Sequence, residues 1–169
     1  MKTSIQEFAL LPQEEKDRFF MKRALEEASY AFENEEVPVG AVLVVEDKIV
    51  AKGRNQVESL KDATAHAEML CLSSASEHFN DWRYKGATLY TTLEPCPMCA
   101  GAIFACRIKR VVWGAPDLRL GANGSFCDLF SLKHPMCSVE VSKQVLLEES
   151  AYLMQSFFQK RRKKNEKNT

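Results

Sequence analysis

The stretch ATLYTTLEPCPMCAGAIFACRIKRVVWG, residues 87–114, decides the fold. Residues 87–92 and 110–114 are short apolar runs that read as strands, and between them residues 97–105 read as a helix with Pro97 in its first turn. A strand, a helix and a second strand in succession favour parallel pairing through a crossover. Working outward, residues 40–45 and 49–51 flank Glu46-Asp47-Lys48, a polar turn between apolar runs that predicts a β-hairpin. Upstream, Phe20, Ala24, Leu25, Ala28 and Ala31 recur at intervals of three and four, the stripe of an amphipathic helix over 16–32 that stops before Pro38. Residues 55–64 read as a loop, and Thr64 as the cap of a helix starting near Ala65 and fading between His78 and Asp81. Residues 114–125 are rich in Gly, Asn and Pro and predict a loop, residues 139–141 a short last strand, and 146–164 a closing helix. The expected architecture is α/β: a mixed sheet, an antiparallel hairpin extended by parallel strands, with helices on both faces.

The chemistry gathers in two pieces, His66-Ala67-Glu68 and Pro95-Cys96-Pro97-Met98-Cys99. A Cys-x-x-Cys at a helix start brings two sulfurs within reach of one ion, and the free N–H groups of the first turn favour anionic sulfur. His66 sits near the start of the preceding helix, so three ligands can converge on zinc. Three is the informative count: structural zinc is closed by a fourth protein ligand, whereas catalytic zinc keeps a position for water. Cys106 lies two helical turns beyond Cys99, too far to share the ion, and Cys71, Cys127, Cys137, His78 and His134 have no partner spacing. Glu68 is rotated about 200° from His66 along a helix, beside the metal rather than on it, and reads as the proton carrier. Singly, His66 reads as a buried histidine and the cysteine pair as a zinc knuckle or a redox dithiol; a redox dithiol has no use for His66 or Glu68.

The 169 residues fit one domain, 46% hydrophobic and 27% charged, with 23 basic residues balancing 23 acidic ones. Zero net charge argues for neither nucleic acid nor membrane. The distribution is uneven: Lys160-Arg161-Arg162-Lys163-Lys164 with Lys167 is basic, while Glu26, Glu27, Glu33, Glu35 and Glu36 make the front acidic. The basic run suits a polyanion or a solvated tail. No segment has the length to span a bilayer, the first residues do not read as a secretory signal, and the six cysteines are expected as thiols or metal ligands in a reducing, cytoplasmic setting. The expected organisation is an N-terminal extension over 1–15, a catalytic domain over 16–160 and a basic tail over 161–169.

His-x-Glu followed by Pro-Cys-x-x-Cys is the signature of the zinc nucleobase deaminases, of which the tRNA adenosine deaminases are themselves an instance. Residues 64–68 and 93–102 closely resemble the bacterial tRNA-specific adenosine deaminases of the cytidine/deoxycytidylate deaminase superfamily. Residues 36–42, 53–55, 107–115, 121–125 and 157–162 agree with that family too, so the resemblance runs from about residue 18 to 162. Residues 131–138 carry fewer Asn and His than the family, and the first fifteen residues have no clear counterpart. The resemblance implies a three-layer α/β/α cytidine-deaminase-like fold, one Zn2+ per subunit, a homodimer, and conversion of the wobble adenosine of a tRNA anticodon, usually of an arginine tRNA, to inosine. By the same resemblance Asn55 would hydrogen-bond the base, the backbone of Pro95 would lie near the departing amine, Asp117 near the nucleotide, and Arg161 and Arg162 near the anticodon stem. Two other functions fit the zinc motif: deamination of free guanine, cytosine or dCMP, and a non-catalytic RNA-binding subunit that keeps zinc for folding.

Overall fold

Successive side chains of a strand point to opposite faces of the sheet, and strand β1 (Gly40–Val45) shows the consequence. Ala41 and Leu43 enter one buried cluster, Val42 and Val44 a second cluster on the other side. The structure is a computed structural model that describes residues 5–167. Residues 1–4 and 168–169, the outer parts of the expected extension and tail, lie outside the described residues.

The elements run α1 (Ile5–Ala9), α2 (Gln13–Glu33), β1, β2 (Lys48–Arg54), α3 (Val57–Leu60), α4 (Ala67–Phe79), β3 (Thr88–Leu93), α5 (Pro97–Ala105), β4 (Arg110–Ala115), β5 (Glu140–Ser142) and α6 (Leu147–Glu166). The sheet order is β2-β1-β3-β4-β5. β1 pairs antiparallel with β2 and β3, and β3-β4 and β4-β5 pair parallel, so the mixed sheet is an antiparallel hairpin joined to parallel strands. α4 and α5 supply Cys71, Leu72, Ala75 and Ile103 to one cluster, with Leu89, Val111 and Trp113 from the strands. Phe20, Met21 and Ala24 of α2 pack with Tyr90 and Val112 on the opposite face, and α6 lies beside α2 against β4.

Several boundaries differ from the sequence reading for identifiable reasons. The hairpin turn is two residues, Glu46-Asp47, both at positive φ (48° and 60°), which releases Lys48 into β2. α2 starts at Gln13, after Pro12 and with Glu14 and Glu15 in a first turn that favours negative charge. A short helix, α3, occupies the expected loop over 55–64. Thr64 does not cap α4: its hydroxyl and its N–H both donate to Asp62 Oδ1 at 2.8 Å, and His66 becomes the cap residue instead. Phe8, in the segment without a family counterpart, packs edge-on to Phe19 and Phe20 at 4.8 and 5.6 Å.

Two constraints set the spacing of the layers. Arg110 donates both guanidinium arms to Asp17 (2.7 and 2.6 Å), Tyr90 donates its hydroxyl to the same carboxylate (2.8 Å), and Arg110 reaches Ser142 (2.6 Å), so one buried network ties α2 to β3, β4 and β5. Burial pushes the Asp17 carboxyl up, but the hydrogen bonds from Arg110, Gln13 and Tyr90 prevail and hold it below the usual carboxylate range. On the other face, Gly53 lets α4 lie directly on β2. A Cβ there would stand 2.3 Å from the Ala67 carbonyl and 2.5 Å from the Cys71 nitrogen, both backbone atoms. Gly53→Ala must therefore lift the start of α4 off the sheet. The expected cost is about 1–3 kcal/mol of stability, with weakened metal binding because Ala67 follows His66; a denaturant melt and a zinc titration check both, and unchanged values would show that the helix start can yield.

Candidate metal centre and catalytic pocket

His66 and Cys96 occupy equivalent places, each the extended residue before a helix: His66 (φ −71°, ψ 153°) leads into α4 and Cys96 (φ −74°, ψ 171°) into α5. The His66 carbonyl accepts from Leu70 N–H and the Cys96 carbonyl from Ala100 N–H, so each ligand's backbone is the first acceptor of its helix. Pro97 follows at the first helical position, where no N–H is needed. Cys99 lies in the first turn of α5 and is fully buried.

The three side chains form a triangle. His66 Nδ1 stands 3.6 Å from Cys96 Sγ and 3.6 Å from Cys99 Sγ, and all three ligand atoms lie within 4.8 Å of one another. A tetrahedral zinc with Zn–N of about 2.05 Å and Zn–S of about 2.3 Å places N and S about 3.6 Å apart. The donor set thus fits that ion in both chemistry and spacing, and it is the one such cluster among the described residues. Cys106 is the C-terminal cap of α5, and Cys137 pairs with His134 at 3.5 Å and with the Phe104 carbonyl, so neither joins the triangle.

The protonation of the site follows from its crowding. Hydrogen bonding from Cys99, with help from His66, holds Cys96 down at about 4 against its burial. Cys99 keeps its proton in return, because its thiol faces the Cys96 sulfur in a buried place. Hydrogen bonding to Cys96 and the charge of Glu68 raise His66 above the usual imidazole value despite its partial burial. Glu68 sits beside the triangle, 4% exposed, and burial pushes its carboxyl up to about 7. A carboxyl with that value exchanges protons readily near neutrality.

Glu68, His66 and Cys96 line one wall of a cavity of about 250 Å³; Asn55, Val39 and Val57 line another, and Asp117, Arg119 and Leu120 approach from the loop after β4. Pro95 lies between two lining residues, Glu94 and Cys96, and its carbonyl accepts the N–H of Ala122. Arg161 lines a neighbouring cleft with Lys160, Lys164 and Phe157, and Arg162 is exposed on the same helix. The two cavities share Glu36 and Glu58.

Sequence reasoning assigned no role to two buried acids that shape this pocket. Glu94, 2% exposed, accepts from the backbone N–H groups of Asp117 (3.1 Å), Asn123 (2.8 Å) and Ser125 (3.3 Å) and from the Ser125 hydroxyl. It thereby seats the loop carrying Asp117 against the metal segment. Gly121 makes room, since a Cβ there would stand 2.3 Å from the Glu94 carboxyl. Glu36, also 2% exposed, does the same on the opposite wall for Asn55 and α3. The only available signal was position: Glu94 immediately precedes the Pro-Cys of the metal motif, and Glu36 lies in a segment that agrees with the family.

Comparison with known proteins agrees with this geometry. Residues 14–115 match the cytidine and deoxycytidylate deaminase zinc-binding region. The chain is 44% identical over 148 residues to the tRNA-specific adenosine deaminase of Bacillus subtilis (strain 168), covering 88% of this chain and 92% of that protein. It is 49% identical over 161 residues to the chloroplastic tRNA(adenine(34)) deaminase of Arabidopsis thaliana, of whose length it spans only 12%. A solved structure from a study of A-to-I editing by tRNA:A34 deaminases superposes with a TM-score of 0.76 at 42% identity, covering 80% of this chain and 98% of that one. The matched zinc-binding region contains the whole His66-Cys96-Cys99 triangle and Glu68, and the chain belongs to the tRNA-specific adenosine deaminases, hydrolytic deaminases with the α/β fold of the cytidine deaminases.

Proposed function

We propose that this protein converts the wobble adenosine of a tRNA anticodon, that of an arginine tRNA by family resemblance, to inosine, with one zinc per subunit held by His66, Cys96 and Cys99. The observation that carries the reading is the buried carboxyl of Glu68, near neutrality in its pKa, beside three metal-capable side chains rather than four. His66, Cys96 and Cys99 would hold the zinc, which would supply Lewis acidity to activate water near neutral pH. Glu68 takes one proton of the water that adds to adenine C6 and delivers it to N1; it then takes the second, from the new C6 hydroxyl as that becomes a carbonyl, and passes it to the amine as the C6–N bond breaks. Adenosine and water thus give inosine and ammonia. Asn55 hydrogen-bonds the base, Asp117 holds the nucleotide from the far wall, and the backbone of Pro95 borders the departing amine.

The target base must leave its stack to enter so enclosed a pocket, which an anticodon loop permits more cheaply than a duplex. The neighbouring cleft is mixed in charge, with Lys160, Arg161 and Lys164 facing Glu35, Glu36 and Glu58 and Lys164 paired to Glu35 at 2.7 Å; exposed Arg162 and Lys163 beyond it carry the basic face suited to phosphate, which supports an RNA substrate rather than a free base. The protein works as a homodimer in the cytoplasm; exposed Leu118, Phe126, Leu132 and Met136, all between β4 and β5, supply apolar surface for such an interface. No helix among the described residues is long and apolar enough to cross a membrane.

Two measurements test this. Inosine should form in a tRNA transcript with adenosine at the wobble position, and Glu68→Ala loaded with zinc should lose at least about 10²-fold in rate; deamination of free guanine or cytidine without action on tRNA would instead favour a small-molecule enzyme. Zinc must also displace the Cys99 proton and compete with protonation of His66. Apparent zinc affinity is therefore expected to fall at least about tenfold per unit as pH drops from 8 to 6, read by chelator competition; an affinity independent of pH would contradict the protonation pattern.

A further inference from the structure

α2 ends in a left-handed turn that fixes the position of the next side chain. Glu35 has φ +61°, its N–H reaches the Phe32 carbonyl (3.1 Å), and the N–H of Glu36 reaches the Ala31 carbonyl (2.9 Å), the paired bonds of a Schellman motif. Glu36 is thus delivered by that turn into the space between the base pocket and the neighbouring cleft, both of which it lines. There its carboxyl meets three N–H donors: the Asn55 side-chain amide (3.3 Å) and the backbone groups of Glu58 (3.2 Å) and Ser59 (2.7 Å). Asn55 itself is 6% exposed, and its backbone N–H is held by the Val39 carbonyl at 3.0 Å.

A primary amide has nearly the same shape when its nitrogen and oxygen are exchanged, so only its partners decide which way it faces. A carboxylate offers acceptors alone. It therefore draws the Asn55 Nδ2 toward Glu36 and leaves the pocket one N–H and the Oδ1 oxygen. One donor beside one acceptor matches the adenine edge formed by N7 and the exocyclic amino group, the pairing that asparagine makes with adenine elsewhere. We propose that Glu36 is a positioning residue that fixes the orientation of the Asn55 amide, and through it the purine edge the pocket accepts. This rests on the adenosine reading above.

Glu36→Gln keeps the size but adds an N–H of its own, so Asn55 can turn over and present two donors to the base. The variant is expected to lower kcat/KM for tRNA roughly ten- to a hundredfold, at unchanged zinc content. In an Asn55→Ala background the same change is expected to cost less than about twofold, because the partner it acts through is gone. Equal losses in both backgrounds would assign Glu36 a merely structural role and overturn the proposal. A second arm needs neither substrate nor variant: in the NMR spectrum of the zinc-loaded wild type, the Asn55 side-chain amide and the Ser59 backbone N–H should exchange with solvent far more slowly than the side chain of exposed Asn80. Exchange at the rate of Asn80 would overturn the proposal even if tRNA proved not to be the substrate, and failure of wild type to edit tRNA with slow Asn55 exchange would remove the substrate reading alone.

Discussion

The site depends on two helices that begin side by side. α4 and α5 both start at the same edge of the sheet, and the residue just before each is a metal-capable side chain in extended conformation. That arrangement aims His66 and Cys96 at one point, and the first turn of α5 adds Cys99 from below. The N–H groups of both helix starts make the place hospitable to negative charge, which the Cys96 thiolate requires and which a metal-bound pair of thiolates would require further. α4 comes so close to the sheet because Gly53 presents no Cβ to its backbone at Ala67 and Cys71.

Around this centre, two buried acids do equivalent work on opposite walls. Glu94 collects the backbone N–H groups of the 117–125 loop, and Glu36 collects those of α3 together with the Asn55 amide. A loop is ordinarily mobile because few contacts oppose its conformational entropy. Here each segment is fastened to one interior carboxyl through its main chain and, at Asn55 and Ser125, through a side chain as well, so the walls of the pocket are held in place. Glu68 differs in kind. Burial has raised its carboxyl to about 7, the property of a group that moves protons rather than one that anchors a chain.

The mixed sheet was legible because its strands are short apolar runs with turn residues between them, and the triangle because Cys-x-x-Cys and His-x-Glu have a spacing that few other arrangements explain. What escaped sequence reasoning had no local signal. Thr64 has the residue type of a helix cap, but Asp62, two residues earlier, takes its hydroxyl. α3 is four residues long, too short for periodicity to register. The roles of Glu36 and Glu94 lie chiefly in backbone N–H groups 22 to 31 residues away, and a main-chain donor looks the same in every sequence. Packing of Phe8 on Phe19 and Phe20 likewise depends on how a separate short helix docks.

On the proposed reading three side chains, and no fourth, hold the metal. X-ray absorption at the zinc edge of the loaded protein measures this most directly. The spectrum is expected to show two sulfurs at about 2.3 Å, one imidazole nitrogen at about 2.0–2.1 Å and one light atom that is not histidine. A third sulfur or a second imidazole in the shell would make the site a closed, structural one and rule out hydrolysis at this metal.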